Sequence, residues 1–220
     1  MLHFHVVTLF PESIEPYLKS SILGRAIEKK LIKISYYDPK KFAVGKHKRV
    51  DQRPYGGGPG MILEPTAVLK AADKALTKTY RGDASRRRLE ILFFATDGLQ
   101  FDEKMAKHLS KKRDILLITG RYEGVDARVQ KILKAKKISV GPYVLTGGEL
   151  PAATVIDAVA RFIPGVLGKA ESLEASRVSS PEVYTRPEVL VWKKKKYRVP
   201  KVLLTGHHAK INEWKQKRRK

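Results

Sequence analysis

The sequence predicts an α/β fold built on a mostly parallel sheet, and two patterns carry that expectation. Short runs rich in β-branched residues alternate with longer stretches of helical periodicity, and the strand-like runs are apolar from end to end. Strands covered by helices on both faces read as continuous apolar runs, whereas strands with one wet face alternate. Strand–helix alternation is the sequence form of a crossover sheet. In chain order, His3–Leu9 predicts a strand, Pro11–Leu18 and Leu23–Lys30 predict helices, and Ile32–Tyr37 predicts a second strand. Ala67–Thr77 reads as a helix introduced by Pro65. Leu89–Ala95 is an apolar strand that the turn pair Asp97-Gly98 should stop. A helix over Lys104–Ser110, a strand over Ile115–Thr119 and a helix over Asp126–Lys134 follow. A short strand, Ile138–Val140, and an apolar helix, Ala152–Phe162, complete the pattern.

With 220 residues, 42% of them hydrophobic, the chain is large enough for one domain plus a small appendage. It has no cysteine, which excludes disulfides, zinc–thiolate sites and cysteine nucleophiles, and suits a reducing cytoplasm. No run approaches the roughly 18 apolar residues of a membrane span, and the start MLHFHVVTLFPE lacks the basic region of a signal peptide. The net charge of +23 suits a polyanionic partner, nucleic acid first. Charge alone does not separate RNA from DNA, or an enzyme from a passive binder. After Pro164 the composition changes: Lys169–Ser180 is polar and aperiodic, and Trp192–Lys220 is dominated by lysine. This predicts a body over residues 1–166, a linker over 167–180 and a small basic module over 181–220.

Three glycine-rich stretches stand out, and none fits a common nucleotide loop. Arg53–Met61 places four glycines in five positions between Arg53, Tyr55 and Met61, leaving backbone amides free to approach a ligand. Gly120–Asp126 (GRYEGVD) follows an apolar strand, where open α/β sheets bind ligands. Ser139–Pro151 (SVGPYVLTGGELP) again joins a strand to a helix. The last two could enclose one ligand between them. His3 and His5 alternate in a strand and read as structural. No His/Asp/Glu group has the spacing of a dedicated metal site.

In this order and spacing the three stretches resemble the bacterial tRNA (guanine-N1) methyltransferase family of the SPOUT superfamily. The likeness spans nearly the whole chain and includes Leu9-Phe-Pro11, Gly24-Arg-Ala26, Arg161–Gly168, Tyr184-Thr-Arg-Pro187 and Val199–His207. The resemblance implies an α/β domain threaded through a deep trefoil knot, plus a small C-terminal helical domain that grips tRNA. It implies a cytoplasmic homodimer that takes a methyl group from S-adenosylmethionine and places it on N1 of guanine 37, in the anticodon stem-loop. Carried over residue by residue, the donor site comprises Phe93, Phe94, Thr96, Gly120, Tyr122, Glu123, Gly124, Val140, Gly141, Pro142, Tyr143, Val144, Leu145, Gly147, Gly148 and Pro151. Substrate contacts fall on Asp51, Arg53, Tyr55, Gly57, Tyr184 and Arg186, and Arg161 matches the arginine that stabilises charge on the guanine O6. Magnesium dependence is a further family trait, with no ligands assigned.

The chain departs from the family at several positions. Thr96 stands where a proline is usual, Pro142 replaces an acid, and Lys134, Lys136 and Lys137 occupy a normally acidic stretch. The family's linker aspartate, the general base, is missing; Glu171 and Glu174 are the carboxylates available there. Glu171 keeps an acid–serine pair, while Glu174 lies nearer the expected distance from Gly168 and is favoured slightly. The C-terminal module is shorter than usual, and its lysines predict steep salt dependence of RNA binding. Two other readings stay open: a related methyltransferase acting on another RNA nucleotide, and a catalytically weakened RNA-binding homologue.

Overall fold

A computed structural model describes residues 1–45, 49–77, 88–168 and 182–217. The chain divides into two compact units, Met1–Leu167 and Gly168–Lys220. In the first, five strands form one sheet: β1 (Leu2–Val7), β2 (Ile32–Tyr37), β5 (Leu89–Gln100), β6 (Asp114–Ile118) and β7 (Lys136–Ser139). Their order is β2-β1-β6-β5-β7, and every neighbouring pair is parallel. The α/β expectation with a mostly parallel sheet therefore holds. Two short strands, β3 (Asp51–Gln52) and β4 (Ile62–Leu63), pair antiparallel outside the main sheet.

Side-chain alternation along the strands divides the core into two halves. Phe4, Val6, Ile115 and Leu117 face one side, with Ala152, Val155, Ile156 and Val159 of helix α6 (Glu149–Ala160). Val7, Leu116 and Ile118 face the other, against Ala67, Val68, Ala71 and Ala72 of helix α3 (Pro65–Thr77). Covering both faces explains why the strands read as unbroken apolar runs. The smaller helices α1 (Glu15–Leu18), α2 (Ser21–Glu28), α4 (Glu103–Leu109) and α5 (Ala127–Leu133) fill the remaining crossovers. Helix α5 is capped by Asp126, which accepts from the Arg128 amide at 2.9 Å. The Arg128 guanidinium holds the Asp126 carboxyl below its ordinary range.

Several element bounds differ from the sequence reading. The single helix expected over Pro11–Leu18 is a 3-10 turn at Pro11–Ser13 followed by α1. Pro16 has no N–H with which to continue a helix from Pro11. Helix α6 begins at Glu149, inside the glycine-rich stretch. Asp97-Gly98 does not stop strand β5; the strand runs on to Gln100 with a register shift against β7 between Phe94 and Leu99. Gly98 acts here by close approach, since an added Cβ would sit 2.6 Å from the Ile138 backbone.

The second unit, expected to be helical, opens with a hairpin of β8 (Val189–Trp192) and β9 (Lys195–Arg198), ahead of α7 (Lys201–Leu204) and α8 (His208–Lys217). Its turn is Lys193-Lys194, both at positive φ. Hairpins usually signal such turns with Asn-Gly or Asp-Gly, so two lysines gave no warning. No helix among the described residues is long and apolar enough to cross a membrane.

Gly98→Ala should force the β5 and β7 backbones apart. A loss of about 1–3 kcal/mol, the usual range for overpacking, is expected in urea denaturation. An unchanged midpoint would show that the contact is slack.

Candidate active site

The carboxyl ends of β5, β6 and β7 frame a cavity of about 300 Å³. Its walls are Phe94, Ala95 and Thr96 of β5, residues Gly120 to Gly124 after β6, and residues Ile138 to Gly141 at the end of β7. Residues Tyr143 to Gly148 and Pro151, leading into α6, close the remaining side. Of the expected donor-site residues, all but Phe93 and Pro142 line this space. Phe93 points the other way, into the core against α3, and Pro142 sits exposed. Sequence reasoning missed Ala95, Arg121, Ile138, Ser139 and Thr146, each of which flanks or lies between the residues it named.

Local chemistry fixes the loops. The buried Ser139 hydroxyl donates to the Gly141 carbonyl at 2.9 Å, turning the chain sharply at the end of β7. The Tyr143 hydroxyl donates to the Val140 carbonyl at 3.2 Å, folding its ring back over the same turn. Gly148 donates its amide to the Gly120 carbonyl at 2.8 Å, joining the two loops directly. An added Cβ there would meet Thr119 at 2.8 Å, so only glycine permits this approach. Tyr122 is held at a φ of 60°, a left-handed conformation that non-glycine residues adopt at a cost and that clusters at ligand sites.

The Arg53–Met61 loop joins the same assembly through its base. The Glu123 amide donates to the Met61 carbonyl at 2.9 Å, and the Leu63 amide donates to the Gly124 carbonyl at 2.9 Å. Asp51 sits on β3, opposite Leu63 of β4, and the Tyr55 ring is fully exposed at the loop's tip. The first and second glycine-rich stretches are thereby stitched together.

Beneath the loops lies a buried ionic tie that the sequence did not reveal. Glu149, only 2% exposed, accepts from the Thr8 hydroxyl at 2.8 Å. Its other carboxylate oxygen lies 2.9 Å from Arg121 Nε. Neither of those two atoms has a directed hydrogen bond among the described residues, so charge attraction holds the pair. The Arg121 guanidinium also lies 4.7 Å from the centroid of the Phe10 ring, within cation–π range. One carboxylate therefore connects the end of β1, the loop after β6 and the first turn of α6.

The other expected residues lie elsewhere. Arg161 caps α6 and lines a separate depression with Tyr17, Leu150 and Asp157. There Tyr17 donates to Asp157 at 2.5 Å, and that bond raises the Tyr17 pKa, with burial adding to it. Tyr184 and Arg186 belong to the second unit, where Tyr184 packs on Trp214 at 6.3 Å and donates to Glu182 at 2.9 Å. Glu171 and Glu174 lie outside the described residues. Chain spacing suggested no metal-ligating group, but strand pairing brings His3, His5 and Asp114 together, with one ligand atom of each within 4.8 Å of the others.

A parallel sheet whose carboxyl-end loops gather around one cavity, in a chain of net charge +23, places the protein in the class of α/β folds with a candidate ligand site at the strand ends. Comparison with known proteins narrows the class. The family described as tRNA (Guanine-1)-methyltransferase TrmD matches residues 2–220. A tRNA (guanine-N(1)-)-methyltransferase of Clostridioides difficile is 39% identical over 219 residues, covering 98% of this chain and 91% of that protein. Those of Lachnoclostridium phytofermentans and Haemophilus influenzae are 38% and 40% identical, covering 98% and 96% of this chain and 86% and 84% of theirs. The chain belongs to the tRNA (guanine-N1) methyltransferase family.

Arg121→Ala should strand the Glu149 charge in the core, at a cost of about 3 kcal/mol. Adding Glu149→Gln should recover part of that loss in chemical denaturation. A double variant no more stable than Arg121→Ala would show that the pair is not coupled.

Proposed function

We propose that the chain transfers a methyl group from S-adenosylmethionine to N1 of guanine 37 in tRNA. The observation that carries this reading is the convergence of loops Gly120–Gly124 and Val140–Pro151 on one cavity, in a chain the family matches from residue 2 to 220. The cavity suits the donor: its volume reaches the small-molecule range, its walls are apolar at Phe94, Val140, Leu145 and Pro151, and glycines 120, 141 and 147 contribute to its lining. Those groups would hold the donor, which supplies an electrophilic methyl when bound. Magnesium would find one carboxylate in the cavity, Glu123. That ion is commonly held through one or two carboxylates and several waters, so the donor set admits it.

Guanine N1 carries a proton at neutral pH and becomes nucleophilic as that proton leaves. A linker carboxylate, Glu174 or Glu171, serves as general base. Arg161 stabilises the negative charge that develops on O6, a role suited to its permanent charge and fixed fork of donors. Asp51, Arg53, Tyr55 and Gly57 contact the target base, which is taken out of its stack to expose its edge. Residues 181–220 grip the tRNA, with Tyr184 and Arg186 closing over it.

The active form is a cytoplasmic homodimer whose active sites each take residues from both copies. Support comes from Tyr122, Tyr143, Val144 and Leu150, which leave apolar surface exposed around the cavity and on α6. Arg161 fits the same scheme, since it lies off the cavity lined by its own loops. The reading of a trefoil knot draws support from the backbone pairing of Arg121 with Gly147 and the Gly148–Gly120 hydrogen bond, which bring the two loops into contact.

Labelled S-adenosylmethionine should mark a tRNA transcript carrying G37 and leave one with A37 unmarked. Equal label on both, or none on either, would overturn the assignment. Arg161→Ala should lower kcat by about 10²–10³-fold, the usual cost of an oxyanion donor. Of Glu171→Gln and Glu174→Gln, the larger loss identifies the base, and wild-type turnover in both would remove the linker from the chemistry.

A further inference from the structure

At the amino ends of the strands, away from the loops described above, β1 and β6 bring two imidazoles and a carboxylate together. His3 and His5 alternate along β1 and therefore share a face, and Asp114 begins β6 in register with His3. His5 Nε2 lies 3.0 Å from Asp114 Oδ1, and His3 Nδ1 lies 3.9 Å from the same oxygen. The two rings sit 3.8 Å apart between centroids. The outward nitrogens are also engaged: His3 Nε2 with the Ser35 hydroxyl at 2.9 Å and His5 Nδ1 with the Tyr37 hydroxyl at 3.1 Å, both on β2.

This arrangement resembles a metal site with its supporting shell. Metal-binding histidines almost always use the second ring nitrogen to bond a neighbouring polar group, which fixes ring orientation. When Ser35 and Tyr37 accept from the outward N–H groups, the inward nitrogens turn lone pairs toward a carboxylate oxygen. In that tautomer a cation between the three electron-rich atoms is favourable, whereas in the other His5 Nε2–H donates to Asp114 and Nδ1 accepts from Tyr37. A proton on His5 Nε2 can fill that place, and so can a metal ion. We propose that His3, His5 and Asp114 bind a first-row divalent cation of the zinc class, in a site separate from the methyl-transfer cavity. Two imidazoles and one carboxylate, with a water completing four-coordination, match the ligand preference of zinc. The His5 ring and Asp114 are buried, whereas the His3 side chain is 17% exposed and gives the ion a route from solvent. The Arg113 guanidinium, 3.7 Å from the other Asp114 oxygen, still balances the second half of the carboxylate. The bound ion would tie β1 to β6 at the edge farthest from the donor loops, and metal uptake would release the proton it replaces.

The test is titration of the chelator-treated, full-length protein with Co²⁺ and then Zn²⁺. One Co²⁺ per chain with the strong visible absorption of four-coordinate cobalt, displaced by one Zn²⁺, is the expected result. Ser35→Ala should weaken binding roughly 10–100-fold, as loss of a supporting partner does, while His3→Gln and Asp114→Asn should weaken it further. Because Asp114 is buried, the partly exposed His3 and Ser35 variants keep the test valid if Asp114→Asn fails to fold. Absence of stoichiometric uptake would overturn the proposal. So would uptake that survives His3→Gln but disappears in the His207→Ala/His208→Ala double variant.

Discussion

The candidate active site depends on one buried carboxylate. Glu149 sits in the first turn of α6, almost fully removed from water, and takes the Thr8 hydroxyl on one oxygen and the Arg121 charge on the other. An ionised group is costly to bury unless its lone pairs and charge are answered. Meeting that requirement draws the end of β1, the loop after β6 and the start of α6 to one point. The contact between Gly148 and Gly120 is possible because these segments already converge. A helix N-terminus also favours negative charge, so Glu149 is held by its own helix as well as by Arg121.

The second constraint is the fully parallel sheet. Every strand delivers its carboxyl end to the same edge, so loops far apart in sequence become neighbours there. Phe94, Tyr122 and Leu145 meet around one cavity for that reason alone. The opposite edge collects the amino ends, and it is there that His3 and Asp114 meet. The two ends of one sheet thus gather separate groups of side chains, with the apolar core of Leu116, Leu117 and their neighbours between them.

The sheet and most of the cavity wall were legible in the sequence, because burial on both faces leaves an unbroken apolar signature and glycine-rich loops mark the strand exits. Features that depend on pairing were not legible. Asp97-Gly98 reads as a turn until β7 is seen lying against Gly98. Lys193-Lys194 reads as part of a charge run, and only the pairing of Val189 with Arg198 reveals a hairpin. Arg121 was passed over between two residues that were named, since its partner Glu149 lies in a different motif. His3 and His5 gave no sign of their acidic partner for the same reason: it stands at position 114.

The position of β1 has a consequence for how the chain comes into being. Strand β1, which precedes the other four strands of the sheet in the chain, is an inner strand, flanked by β2 on one side and by β6 on the other. Its second partner begins at Asp114, so that flank stays open while the intervening chain is synthesised. At roughly 5–20 residues per second this interval is on the order of ten seconds. Throughout it, β1 presents unpaired backbone groups and the apolar side chains of Phe4 and Val6, the kind of exposed edge on which strands from neighbouring chains dock. The nascent chain thus carries an open strand flank until β6, in its middle third, has been made, and translation speed over that stretch sets how long the flank stays exposed.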